Sequence, residues 1–153
     1  QEITLINKIT ENKTIDSLSF HIGVDATKNH EDPSLYDLNA PLAFQTPSMH
    51  WGWTNGYLFM VIEGNVDTDG DDILDDTFGF HIGMDSYLGF TQNFQKLNAD
   101  LKTNNDSSID FDVNYDLLLN GIDLSTNNIT HTMDNPTLAT SFKNNFYNAL
   151  IIN

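Results

Sequence analysis

The sequence predicts an all-β fold, a loop-rich antiparallel β-sandwich with one short C-terminal helix. Three observations carry that reading. Apolar and polar residues alternate with a period of two in several runs of strand length, Asn-, Asp-, Gly- and Pro-rich connectors separate those runs, and one stretch near the C-terminus carries apolar residues at helical spacing.

The elements follow in chain order. Leu18, Phe20, Ile22 and Val24 alternate with Ser19, His21, Gly23 and Asp25, the pattern of a half-buried strand. Tyr57 to Glu63 is apolar on both faces, as expected of a central strand. Phe78, Phe80, Ile82 and Met84 alternate with Gly79, His81, Gly83 and Asp85, nearly repeating the first run, and in both the histidine faces away from the large apolar groups. The segment from Phe94 to Leu101 fits a helix through Phe94, Leu97 and Leu101 or a strand through Leu97, Ala99 and Leu101; the strand is favoured. Ile109, Phe111, Val113 and Tyr115 make a further strand. The helix is capped by Asp134 or Asn135, has Pro136 in its first turn, and carries the stripe Leu138, Phe142, Phe146 and Leu150.

At 153 residues the chain is one domain, residues 1–153, with an acidic loop at 65–77. Acidic residues number 22 and basic residues 6, for a net charge of −16. That field repels nucleic acid and anionic lipid and attracts cations. No cysteine is present, which removes disulfides and thiol chemistry. The longest apolar run, Tyr57 to Ile62, is too short to span a bilayer, so no transmembrane segment is expected. The chain opens on Gln1, consistent with a processed or incompletely covered N-terminus and an export signal outside it. No nucleophile elbow, phosphate loop or nucleotide fingerprint occurs, and with Gln at position 1 of the sequence as written no amino-terminal histidine brace is expected. The chain reads as a binding protein rather than an enzyme. Glu63, ending the apolar strand, is the one carboxylate expected to be partly buried.

The densest local signal is Met49-His50-Trp51-Gly52-Trp53-Thr54-Asn55-Gly56-Tyr57, which gathers both tryptophans beside a histidine. Imidazole is the commonest protein ligand for a transition metal and suits copper, zinc and nickel. His81 is the first candidate, from its place on the polar strand face; His131, ending a polar loop, is second, and His50, beside Trp51, is third. Trp51 and Trp53 are the candidate aromatic walls, with core packing as the alternative. His21 reads as an outward polar residue and His30 as a solvated loop residue.

A second metal signal is independent of the first. Asp67, Asp69, Asp71 and Asp75 fall at positions 1, 3, 5 and 9 of a calcium loop, where Ile73 supplies the carbonyl of position 7. The run resembles the loops of thrombospondin type 3 repeats and dockerins, departing from them at Asp72 and Phe78. An alternative register starts at Asn65, with Gly70 at position 6 and Asp76 at position 12. Either way calcium would tie together the strands flanking the loop, neutralising carboxylates that otherwise repel within a Debye length of about 8 Å.

Taken together, Phe20-His21-Ile22-Gly23-Val24-Asp25, the Trp-x-Trp-x-x-Gly-Tyr element at 51–57 running into Glu63-Gly64, Phe80-His81-Ile82-Gly83, and His131-Thr132-Met133-Asp134-Asn135-Pro136 leading into a helix with Asn144 and Asn145 resemble the MbnP-like proteins. The resemblance runs over roughly residues 15 to 150 and departs in a shorter start and in the lack of cysteine. It implies an exported bacterial copper-binding β-sandwich, associated with methanobactin operons and located in the periplasm, at the outer membrane or outside the cell. It further implies copper held by imidazoles and by a tryptophan that a di-haem partner enzyme oxidises to kynurenine. A competing expectation is a calcium-stabilised binding or accessory module of a cell-surface or outer-membrane complex, with Trp51 and Trp53 as an aromatic platform and no copper.

Overall fold

The computed structural model describes residues 11–18, 21–52, 54–90, 95–101 and 111–152. Its strands are β1 (Lys13–Leu18), β2 (His21–Ile22), β3 (Leu58–Val66), β4 (Asp76–Gly83), β5 (Gly89–Phe90), β6 (Gln95–Leu101), β7 (Phe111–Val113), β8 (Ile129–Thr130) and β9 (Leu150–Ile152). Two single-turn helices, α1 (Ala26–Asn29) and α2 (Tyr115–Leu118), precede the longer α3 (Pro136–Ala149). The chain is a small all-β unit with one C-terminal helix, as its patterning predicts. The expected strand at 94–101 forms, as β6, paired antiparallel with β1. Phe20, Phe94 and Ile109 lie outside the described residues.

The functional scaffold is the sheet β3–β4–β8. Among the described residues β4 is its middle strand and β3 flanks it, a correction to the reading of Tyr57 to Glu63 as central. Leu58, Phe59 and Met60 are buried in succession, but from Val61 onward β3 alternates out and in. β3 and β4 pair antiparallel, with Val61 opposite His81 and Glu63 opposite Gly79. β8 departs from the antiparallel expectation: it runs parallel to β4, matching Gly79 to Ile129 and Phe80 to Thr130. Sequence could not foresee this, because a two-residue pairing leaves no periodicity to read.

The inner face of this sheet packs on α3. Phe80 and Ile82 are fully buried, and the Phe80 ring lies 5.1 Å from that of Phe142 on the helix. Asn135 is the helix cap, its side-chain oxygen accepting from the Leu138 amide at 3.1 Å, with Pro136 in the first turn. Asp134, the other candidate cap, is used elsewhere. Leu150 is not the last residue of the apolar stripe: the helix stops at Ala149, which is buried, and Leu150 opens β9 against Val113. Tyr115 likewise leaves the expected strand, because Asn114 accepts from the Asp116 amide at 3.1 Å and starts a helical turn there.

A buried asparagine ties the front loops to this scaffold. Asn29 is completely buried, accepts from the Tyr57 amide at 2.7 Å, and donates to Asp85 Oδ1 at 2.7 Å. It sits under Gly56, where a side chain's Cβ would come within 2.4 Å of it and where φ is +73°. His30 Nε2 meets the other Asp85 oxygen at 3.0 Å, so this solvated loop histidine also serves as an anchor. The Asn29 amide, then His30, hold the Asp85 carboxyl below its ordinary pKa. A depressed carboxyl stabilises the fold above its unfolded-state pKa and loses that effect as pH falls through its folded value. Asp85→Asn is therefore expected to lower stability by about 1 kcal/mol at neutral pH, the bonds being partly open to water, with the gap closing below the ordinary carboxylate range. Denaturant unfolding of both proteins across acid pH measures it.

Candidate metal centre

The outer face of the β3–β4–β8 sheet carries the site, and strand parity explains how. Phe80 and Thr130 are paired and both point inward, so the next residues, His81 and His131, both emerge on the opposite face side by side. Their rings stand edge to face with centroids 5.1 Å apart. Trp51 completes the group, its ring 6.1 Å from that of His81 and 6.3 Å from that of His131. It is placed by a tight turn: its amide donates to the Gly56 carbonyl at 2.8 Å, and the Gly56 amide returns to Gly52 at 2.8 Å.

The register of His131 depends on Thr132, a residue sequence reading passed over. Its hydroxyl donates to the His81 carbonyl at 2.8 Å and accepts from the Gly83 amide at 3.0 Å, continuing by side chain the pairing that β8 leaves off. Thr132 is 1% exposed, with φ +66°, and the Met133 amide closes back on the His131 carbonyl at 2.7 Å. This is a γ-turn on a β-branched residue, a conformation costing about 1–3 kcal/mol that the surrounding bonds must offset. The only advance signal is a lone Thr between a histidine and a methionine, which is too common to read.

Each imidazole is backed by a carboxylate. His81 Nε2 lies 2.6 Å from Glu63 Oε1, a diagonal neighbour across the β3–β4 ladder. His131 Nδ1 lies 2.8 Å from Asp134 Oδ2, while Asp134 Oδ1 accepts from the His131 amide at 2.7 Å and the Thr130 hydroxyl at 3.1 Å. Burial raises the Asp134 carboxyl, but its bonds from His131 and Thr130 outweigh this and bring it below its ordinary value. Glu63 is exposed rather than partly buried, because its strand position faces outward. The two imidazoles and Glu63, with Thr77, Gly79 and Ile129, line an open cleft of about 230 Å³. Gly79 leaves it clear: a Cβ there would meet only the Glu63 side chain, at 3.9 Å.

The remaining candidates divide. His50 turns to Tyr57, ring to ring at 4.7 Å, and its Nδ1 accepts from the Gly52 amide at 3.2 Å; burial lowers its pKa. Trp53 lies outside the described residues. His21 is exposed in β2.

The acidic loop joins β3 to β4 across the hairpin tip. One carboxylate oxygen from each of Asp67, Asp69 and Asp71 falls within 4.8 Å of the others. Asp67 accepts from the amides of Gly70 at 2.7 Å, Asp69 at 3.1 Å and Asp72 at 2.8 Å; these bonds, Gly70's first, hold its carboxyl below the usual range. Asp75 Oδ1 faces Thr68 at 3.4 Å, and the Ile73 amide donates to Asp71 at 2.9 Å. Gly70 and Asp72 have φ of +82° and +67°. Asn65 and Asp76 belong to the ladder, opposite Thr77 and Val66, which places the loop between them and favours the register beginning at Asp67.

The features so far define a class: a small all-β protein whose sheet presents two imidazoles, met by an indole from a neighbouring turn, on the face of a hairpin with an acidic tip. The chain belongs to the MbnP family, whose model matches residues 1–134, and so to a group linked to methanobactin operons. No curated protein and no solved structure matches it. Among the described residues no helix is long and apolar enough to cross a membrane.

Thr132→Val is expected to cost about 2–3 kcal/mol, since it strands a buried amide and carbonyl while keeping the branched shape. Thr132→Ser should recover most of that loss, and chemical denaturation of the three proteins decides it.

Proposed function

We propose that the protein binds copper through His81, His131 and the Trp51 side chain, and calcium through Asp67, Asp69, Asp71, Asp75 and the Ile73 carbonyl. The observation that carries the copper reading is the convergence of Trp51, His81 and His131 on one face, each imidazole held by a carboxylate. Metal-binding histidines ordinarily give their second ring nitrogen to such a partner. The donor set fits copper: imidazole nitrogens suit it, and a Trp51 oxidised to kynurenine would add an arylamine and a carbonyl. The ion would supply a redox-active or transferable charge at the surface. The chain's own residues hold it and leave one side open through the cleft over Gly79.

The same reading makes it an exported bacterial protein of the periplasm or cell surface, a carrier rather than an enzyme, as the resemblance implies. A di-haem tryptophan-modifying enzyme and an outer-membrane complex are the partners this reading proposes. Trp51 is engaged by two imidazole rings, which favours a metal centre over an open aromatic platform for a sugar or peptide.

Elemental mass spectrometry of protein from its native host, with the mass of the Trp51 peptide, tests the copper reading. Near-stoichiometric copper, lost in His81→Ala and His131→Ala with the fold intact, is the expected result; wild-type protein without copper overturns it. For the loop, saturating calcium at a hundredfold excess over Kd is expected to stabilise the chelated protein by about 2.7 kcal/mol. Calcium-independent melting, or an unchanged effect in Asp67→Ala, would count against that site.

A further inference from the structure

Resting on the copper reading, the geometry points to Asp134 as a positioning residue that fixes which nitrogen His131 offers to a metal. In neutral imidazole one ring nitrogen carries the proton and the other a lone pair, and the hydrogen bond made by the first decides which is which. A free histidine side chain in water prefers the proton on Nε2. Asp134 Oδ2, 2.8 Å from Nδ1, can only accept, so it draws the proton to Nδ1 and frees Nε2. Glu63 does the reverse at His81: it faces Nε2 at 2.6 Å and leaves Nδ1 free. The pair thus offers one nitrogen of each kind.

Asp134 is well built for this role because its two oxygens have separate tasks. Oδ1 is occupied by the His131 amide at 2.7 Å, an obligate donor, with the Thr130 hydroxyl at 3.1 Å, whose proton is shared with the Asn135 carbonyl at 3.2 Å. That fixes the carboxylate plane and aims Oδ2 at the ring. It also makes Asp134→Asn a clean variant: the amide oxygen stays with the His131 N–H, which can only donate, so the amide nitrogen is presented to Nδ1. An N–H aimed at Nδ1 requires a lone pair there and moves the proton to Nε2. The wrong-tautomer effect of a triad Asp→Asn substitution follows the same logic. Both side chains are half open, 55% exposed for His131 and 50% for Asp134, so the tautomer rather than stability is the quantity to read.

The measurement is the nitrogen-15 spectrum of the imidazoles in metal-free protein, above the ordinary imidazole pKa, followed by titration with cuprous ion. Wild-type His131 is expected as the Nδ1–H form and Asp134→Asn as the Nε2–H form with an unchanged backbone spectrum. Cuprous affinity should then fall about ten- to hundredfold in the variant. Wild-type His131 in the Nε2–H form overturns the inference without any variant, as does an unshifted tautomer or an unchanged copper affinity in Asp134→Asn. Copper found on Nε2 of His81, with Glu63 displaced, overturns the complementary assignment. If wild-type protein takes no copper, the function above fails, while the tautomers of the metal-free protein still decide the role of Asp134.

Discussion

The buried hydroxyl of Thr132, bonded at once to the carbonyl of His81 and the amide of Gly83, is the contact on which the arrangement of the surface depends. β8 pairs with β4 over only two residues, too few to hold a strand in place alone. The hydroxyl extends that pairing past the end of the ladder and locks its parity. A slip of one residue would turn His131 inward and bring a buried threonine to the surface. The strained turn at Thr132 is thus the local cost of a register, and the packing of Phe80 against Phe142 beneath it supplies the compensating burial.

Much of this framework is legible in the chain because it is periodic. Phe78, Phe80 and Ile82 state the inner face of β4 outright, and His81 is consequently assigned to the outer one. The spacing of Leu138, Phe142 and Phe146 likewise fixes α3. What escapes reading is whatever depends on a single hydrogen bond or a brief pairing. Leu150 continues the helical spacing but is drawn into β9 by Val113. Tyr115 continues an alternation but is captured by the Asn114 cap. In the site, the histidines and Trp51 are visible as residue types, whereas their carboxylate partners are not. Glu63 becomes the partner of His81 only through the β3–β4 register, and Asp134 looks like a helix cap until Asn135 takes that place. His30 and Asp85, far apart in sequence, are invisible as a pair for the same reason.

The acidic excess is unevenly used. Around Asp67 the carboxylates turn inward on their own backbone amides, so the hairpin tip is organised by hydrogen bonds before any cation is considered. At Glu63 and Asp134 single carboxylates address single imidazoles. The same residue class therefore serves in two ways: clustered at the hairpin tip, where charges compound, and dispersed beside the sheet, where each orients a neighbouring ring.

Trp51, His81 and His131 come from three separate stretches of a chain that contains no cysteine. An ion bridging them would act as a reversible cross-link, closing two long loops of backbone as a disulfide does, but stabilising the fold only while it stays bound. Such a bond would be made by loading and undone by release. The protein's resistance to proteolysis and heat would then rise and fall with its cargo, making the loaded form the durable one.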